Sequence, residues 1–277
     1  MSLRNDFHVH SNESDGQLSP EMLIDAAIGN GVSAIALCDH DTTVGARRFT
    51  LYGRSRGITA LSGIELSAKW RGGNCHLLGI GVDDCCEPLE AVLRKTRESR
   101  DRRNALILEK LAELGINISH EQLRSEAGGE VVARPHIANA LIKGGYVKSV
   151  QEAFSAYLSH EGLAYVDRFR LEPAEAVNLL RDAGAFVSLA HPRQMSIGNS
   201  ELFDTLIALQ KAGLQGIEVY SPDTTDEQIH AYKEMASALG ITPTGGSDFH
   251  ASGYGGRTIG YYREGVPIPE IKIPGLV

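Results

Sequence analysis

The stretch DFHVHSNESDGQLSPEMLIDAAIGNGVSAIAL, residues 6–37, decides how the chain folds. Successive side chains of a strand point to opposite faces, so His8 and His10 share one face while Phe7 and Val9 share the other. Ser11 to Gly16 is small and polar, a loop able to turn Asp15 back towards the two imidazoles. Ser19 then offers an N-cap, Pro20 takes the first helical position, Glu21 lies in the first turn and Gly31 ends the helix. The apolar run from Ala34 to Leu37 is a second strand, delivering Asp39 and His40. Strand, loop, helix and strand make one βα unit, and its first strand ends in histidines where such architectures keep their functional groups. Alone, an HxH pair is either half of a metal site or a hydrogen-bonded pair on a half-buried strand.

The same rhythm recurs. The runs ITALSGIELSA (58–68) and HLLGIGV (76–82) are read as strands that pair as a hairpin-like excursion, carrying Glu65 and His76. From Glu87 to about Leu114 the pattern is helical and stays so through 134–146 and 150–158. The βα alternation returns with a helix from Pro173 to Asp182, a strand at 185–191, a helix to Ala212, a strand at 216–220 and a helix leading to ITPTGGSDFH. The expected fold is α/β with six or seven strands, a barrel built from 1–100 and 165–277 and a helical insertion at 101–164. The Pro-rich tail after Gly265 is expected to run extended on the surface.

With 277 residues, 42% of them hydrophobic and 22% charged, the composition is that of a soluble globular protein. No apolar run approaches the ~20 residues that span a bilayer, and the N-terminus lacks a signal-peptide pattern, so no membrane association and a cytoplasmic location are expected. Cys38, Cys75, Cys85 and Cys86 form no CxxC pair, which argues for a reduced compartment and against a thiolate zinc site. A net charge of −8 argues against a duplex-binding face, since such affinity comes from neutralising phosphates with Lys and Arg.

Histidines and acids reappear where strands end. Asp39 and His40 follow IALC, Glu65 lies in SGIEL, His191 follows SLA, and Asp248 and His250 follow TGGS. Singly, each reads as a helix cap or a satisfied polar residue; together they do not. His120, His160 and His230, in helical or polar stretches, are assigned to the surface. The nine residues His8, His10, Asp15, His40, Glu65, His76, His191, Asp248 and His250 are too many for one ion and point to a multinuclear centre. Imidazoles with carboxylates and no thiolate suit Mn²⁺, Zn²⁺ or Fe²⁺, with Mn²⁺ and Mg²⁺ favoured as carboxylate content rises.

HVHSNESDG (8–16), DHDT (39–42), GIE (63–65), His76, AHP (190–192) and SDFH (247–250) resemble the ordered motifs of the PHP (polymerase and histidinol phosphatase) phosphoesterases. The resemblance implies a distorted (β/α)₇ barrel holding three divalent ions, with Mn²⁺ expected and Zn²⁺, Fe²⁺ or Mg²⁺ as alternatives. It implies one ion on His8, His10, Glu65 and Asp248, a second on Glu65, His76 and His191, and a third on Asp15, His40 and His250. In the insertion, RRNALILEKLAELG (102–115) and ARPHIANAL (133–141) resemble the branch that hydrolyses nucleoside 3′,5′-bisphosphates and short oligoribonucleotides. Arg134 offers a planar fork for phosphate and His136 a donor. The alternative is that Arg134 merely opens a helix with Pro135 at its first position. The run RKTRESRDRR (94–103) carries a local charge of +4, either as a solvated helix face or with Arg102 and Arg103 turned to the barrel mouth. Arg193, near His191, is left out of the expected site.

Two or more ions can clamp the attacking and leaving oxygens of an in-line phosphoryl displacement and lower the pKa of bound water from about 15.7 towards roughly 7. The expected nucleophile is the resulting metal-bound hydroxide, because no Ser or Cys lies in a motif built for covalent catalysis. Most acids and bases at hand are already ligand candidates, which leaves His136 as a candidate general acid. The expected reaction is removal of the 3′-phosphate from a nucleoside 3′,5′-bisphosphate to leave the 5′-monophosphate, with trimming of short RNA from its 5′ end as a second activity. The competing readings are a histidinol-phosphate-type or other small-molecule phosphatase, a metal-dependent amidohydrolase, and a non-catalytic metal-binding module.

Overall fold

A computed structural model describes residues 4–71, 74–127, 131–222, 224–251 and 256–277. The chain divides into two compact units, Met1–Glu90 with Arg170–Val277, and Ala91–Phe169.

The first unit opens as the sequence reading expects, with β1 (Arg4–Val9), α1 (Pro20–Gly29) and β2 (Val32–Leu37). Ser19 Oγ accepts the Met22 N–H at the start of α1, and past its end Gly31 turns the chain at φ 71°. β1 and β2 are parallel, and β2 is parallel to the short β3 (Thr59–Leu61), reached through α2 (Ala46–Arg56).

The single strand expected at 58–68 is two. After β3 the chain breaks at Ser62 and restarts as β4 (Gly63–Ala68), which belongs to another sheet. Gly63 makes the restart possible, because a Cβ there would lie 2.5 Å from the Leu37 carbonyl oxygen. β4 pairs antiparallel with β5 (Cys75–Ile80), the expected hairpin, with Glu65 opposite Leu78 and Ser67 opposite His76. β5 pairs antiparallel with β6 (Phe186–Leu189), and the sheet continues in parallel through β7 (Gly216–Tyr220) and β8 (Thr242–Gly245). The helices α7 (Pro173–Asp182), α8 (Asn199–Lys211) and α9 (Asp226–Leu239) supply the crossovers.

The result is a mixed α/β architecture with parallel sheets. The closed barrel implied by the family resemblance is not formed by the ladders of the described residues. Among the described residues, the ladders β1-β2-β3 and β4-β5-β6-β7-β8 are linked by the single bridges Val9↔Phe249 and His40↔Glu65. The ladder runs unbroken from β4 to β8 through the antiparallel hairpin, and the gaps fall between β3 and β4, where the chain breaks at Ser62, and between β8 and β1.

Two apolar clusters flank β1 and β2. One joins Val9, Ile35 and Leu37 to Leu23, Ile24 and Ala27 of α1 and Phe49 of α2. The other joins Phe7, Ala34 and Ala36 to Leu78, Ile80 and Phe186, and also to Ile268, Ile271 and Ile273. The tail therefore departs from the surface position expected for it: β9 (Tyr261–Arg263) and β10 (Val266–Pro267) form a small antiparallel pair, and beyond them three isoleucines are buried in the core. The apolar area they remove from water outweighs the extended, proline-rich character of the segment.

The second unit is helical. Most of α3 (Glu87–Glu113) belongs to it, with α4 (His120–Ala127), α5 (Arg134–Lys143) and α6 (Val150–Ala153), which continues as a π-helical turn over Phe154–Leu158. It has its own core, including Ile107, Leu111, Leu123, Ile137, Leu141 and Leu158. No helix among the described residues is long and apolar enough to cross a membrane.

The buried tail makes a prediction. Ile273 has no solvent exposure, and Ile273→Ala should cost about 2–5 kcal/mol, the range for such truncations. In urea the midpoint should fall while the slope stays constant; an unchanged midpoint would return the tail to the surface.

Candidate metal centre

Six strands, β1, β2, β4, β5, β6 and β8, or the segments just past them, deliver ligand-type side chains to the same place. β1 presents His8 and, just past its end, His10, both fully buried, their ring centroids 5.1 Å apart. The loop after β1 doubles back through the Gly16 N–H donating to the Ser11 carbonyl at 2.9 Å, which returns Asp15 to the histidines. His40 follows β2, Glu65 lies in β4, His76 in β5, and His191 follows β6. Asp248 and His250 follow β8.

Glu65 is the hub. Its Oε1 lies 2.8 Å from both His76 Nδ1 and His191 Nε2, and its Oε2 lies 2.9 Å from His40 Nδ1 and 3.4 Å from the Nε2 atoms of His8 and His10. Asp248 Oδ1 lies 3.2 Å from His10 Nε2 and 3.6 Å from His8 Nε2. Asp15 faces His250 Nε2 at 3.4 Å and His10 Nδ1 and His40 Nε2 at 3.8 Å. All nine residues singled out from the sequence are thus brought into one cluster.

Potential ligand atoms within 4.8 Å of one another form three overlapping sets: His8, His10, Glu65 and Asp248; His10, Asp15, His40 and His250; and His40, Glu65 and His76. The first set is the grouping the family resemblance implies. In the others, His10 also sits with Asp15, and His40 also sits with Glu65, whereas His191 reaches the cluster through its contact with Glu65 Oε1.

The donor chemistry fits divalent cations. His8 Nε2, both ring nitrogens of His10 and Glu65 Oε2 are buried without a hydrogen bond, a costly arrangement unless something else meets their lone pairs. The electrostatics favour charged carboxylates and a neutral His10, whereas at His8 burial is outweighed by the charges of Glu218, Glu65 and Asp248, which push its ring well above the usual imidazole value. Burial pushes the Glu65 carboxyl up, but the charges of His40, His76 and His8 and the hydrogen bond with His191 carry it well below the usual carboxylate range. Asp248 follows the same pattern, with burial opposed by His8, His250, His10 and Arg257, and so does Asp15, opposed by His40, His250 and His10. Burial, reinforced by the charge of His250, pushes His10 down to about 3 and keeps its ring neutral, the form that ligates metals. Cysteine takes no part: Cys38 is buried, donates to the Phe7 carbonyl at 3.3 Å, and burial pushes its thiol far up.

Several residues that sequence reasoning left out of the site hold it together. Asp39 accepts the Ser11 N–H at 2.7 Å and the Ser11 and Ser14 hydroxyls at 2.6 Å each, fixing the loop that carries Asp15. Arg257 donates through Nη1 to the carbonyl and to Oδ2 of Asp248, at 2.7 and 2.6 Å. Glu218, at the centre of β7, contacts His8 and His191. A lone acid inside the apolar run GIEVY was its signal in the sequence. Of the four non-glycine residues with positive φ among those described, Asp41, His191 and Asp248 lie in or beside the cluster, the clustering that functional sites display.

Arg134, His136, Arg102 and Arg103 belong to the second unit. Arg134 Nη1 donates to the Leu158 carbonyl at 3.1 Å, and its guanidinium lies over the Phe154 ring. His136 Nδ1 accepts the Ala133 N–H at 3.0 Å, closing the start of α5. Arg102 is exposed and Arg103 buried. His120, His160 and His230 are exposed, as expected of them, and so is Arg193.

Imidazoles and carboxylates gathered in this way within an α/β unit define a protein whose clustered side chains could hold metal ions. More particularly, the PHP domain pattern matches residues 6–245, and the chain belongs to that family. It is 33% identical over 264 residues to a 3′,5′-nucleoside bisphosphate phosphatase of Chromobacterium violaceum, covering 95% of this chain and 93% of that protein. It is 30% identical over 250 residues to a 5′-3′ exoribonuclease of Haemophilus influenzae, covering 90% and 91%. Among solved structures, one from Chromobacterium violaceum described as an amidohydrolase, with bound sulfate and no metal, superposes with a TM-score of 0.84 at 30% identity, covering 98% of this chain and 92% of that one.

Gly246 offers a test of the cluster that leaves every ligand in place. A Cβ on it would lie 2.2 Å from the Cβ of His8 and 2.8 Å from its backbone nitrogen. Mn²⁺ added to metal-stripped wild type should raise the unfolding temperature, by linkage worth about 2.7 kcal/mol at roughly a hundredfold excess over Kd. Gly246→Ala should lose most of that rise, and His230→Ala should keep all of it; a full rise in Gly246→Ala would show that His8 is not needed for binding.

Proposed function

We propose that the protein is a metal-dependent phosphoesterase that removes the 3′-phosphate of nucleoside 3′,5′-bisphosphates and leaves the 5′-monophosphate. The observation that carries this reading is the gathering of six imidazoles and three carboxylates in one cluster centred on Glu65, in a chain 33% identical to a bisphosphate phosphatase. Three divalent ions are proposed, Mn²⁺ first, on the groups His8–His10–Glu65–Asp248, Glu65–His76–His191 and Asp15–His40–His250. When bound, they supply Lewis-acid polarisation of the phosphoryl group and a water more acidic than bulk water.

The chain's own residues do the rest. Glu65 reaches histidines from four strand ends and so sets the spacing of the cluster. Arg257 holds Asp248 at its carboxylate and its carbonyl, leaving Oδ1 directed at His8 and His10. Recognition of the second phosphate is assigned to guanidinium groups, with Arg134 the first candidate and Arg102 and Arg103 behind it, because bidentate, charge-assisted bonds suit a phosphate dianion. His136 is the candidate proton donor: its Nδ1 accepts from Ala133, so in the neutral ring the proton resides on Nε2. The exoribonuclease relative favours a second activity on short RNA, read by the same phosphate contacts. The amidohydrolase reading draws on the description of one similar structure, whereas the two curated relatives are named for action on phosphate esters.

Phosphate release from a nucleotide panel with Mn²⁺ tests the proposal. The bisphosphate should be preferred over monophosphates and histidinol phosphate, and a neutral amide panel should give no turnover. Glu65→Gln should reduce turnover by several orders of magnitude while the protein stays folded. Arg134→Ala should weaken use of the bisphosphate far more than use of a simple monophosphate, which has no distal group to lose; equal loss on both would place Arg134 at the reacting phosphate, and wild-type preference for a monophosphate would overturn the substrate assignment.

A further inference from the structure

Glu218 has no solvent exposure and sits in the middle of an apolar strand, where a carboxylate persists only if both of its oxygens are occupied. Its two oxygens do different work. Oε1 lies 3.1 Å from His8 Nδ1, and Oε2 accepts the backbone N–H of His191 at 2.7 Å. A carboxylate can only accept, so the first contact requires the proton of His8 to be on Nδ1. In the neutral ring that leaves the lone pair on Nε2, the atom that faces Glu65 Oε2 and Asp248 Oδ1 and has no hydrogen bond of its own.

The second contact grips a strained residue. His191 has φ 24° and ψ 68°, and its ring Nε2 reaches Glu65 Oε1 at 2.8 Å. Holding its N–H fixes the backbone conformation that aims the ring. The neighbouring strands keep Glu218 itself in place: it is in register with Thr244 of β8, whose hydroxyl pairs with that of Ser188 of β6 at 2.7 Å.

We propose that Glu218 is a positioning residue that fixes two ligands of the centre at once, the tautomer of His8 with one oxygen and the backbone of His191 with the other. It rests on the metal-centre reading and not on the choice of substrate. Carboxylates that orient ligating histidines typically contribute tenfold to a hundredfold in metal affinity.

Glu218→Gln separates the two roles from mere packing, because an amide of the same shape has one accepting oxygen and cannot satisfy both donors. The full-length protein, stripped of metal, is titrated with Co²⁺ and followed by its d–d absorption and by metal content. Wild-type binding tests the centre itself; the difference between wild type and variant tests Glu218. The variant should bind Co²⁺ roughly tenfold to a hundredfold more weakly at the sites using His8 and His191, with an altered spectrum, while the site of Asp15, His40 and His250 is unchanged. Wild-type affinity and spectrum at every site would overturn the assignment, and so would a uniform loss at all sites. If the variant does not fold, ¹⁵N-histidine spectra of Zn²⁺-loaded wild type decide instead: the proposal requires His8 protonated at Nδ1 and ligating through Nε2, and the opposite tautomer refutes it.

Discussion

The structure of the centre depends on one buried carboxylate. Glu65 is fully inaccessible, yet imidazole nitrogens from five histidines lie within 3.4 Å of its two oxygens. Histidines packed so closely cannot all be protonated, since each buried positive charge disfavours the next. A carboxylate in their midst lowers that cost without removing it, and the orphaned nitrogens of His8 and His10 measure what is left. Cations bound there would meet those lone pairs and would couple the protein's stability to its metal content.

Holding so many groups in one place has a backbone cost, and the structure meets it residue by residue. His191 and Asp248 adopt left-handed conformations that L-residues disfavour. Each has its own restraint: Glu218 on the His191 N–H, Arg257 on the Asp248 carbonyl and carboxylate. Asp41, the third strained residue, accepts the Ser67 N–H at 3.0 Å and donates its own N–H to the Glu65 carbonyl, which ties the end of β2 to β4. The same short bridge that joins the two sheets therefore also seats the hub of the cluster.

The ligand-type residues were legible in the sequence because the period of a strand puts His8 and His10 on one face, and because acids and histidines gathered repeatedly where apolar runs end. The supporting residues were harder to read. Glu218 lies inside a strand, where only its charge among apolar neighbours marks it, and Asp39 looks like any strand-end acid until the Ser11 and Ser14 hydroxyls are seen to converge on it. The break at Ser62 was hidden because 58–68 is one uninterrupted strand-like run, and where the ladders stop depends on which strands pair, which periodicity does not encode. In the tail, the prolines suggested an exposed segment, while the spacing of Ile268, Ile271 and Ile273 carried the opposite message.

That tail has a consequence for how the molecule folds. Ile268, Ile271 and Ile273 fill the same apolar cluster as Phe7, Ala34 and Ala36, so this core joins segments far apart in the sequence. Phe7 is the immediate neighbour of His8, and the strand that positions the first two histidines lacks part of its packing until the segment at 268–273 docks. Contacts so distant along the chain form slowly, because the intervening loop must be closed before they can stabilise anything. The placing of His8 and His10 is thereby coupled to an apolar contact that contains no ligand-type residue.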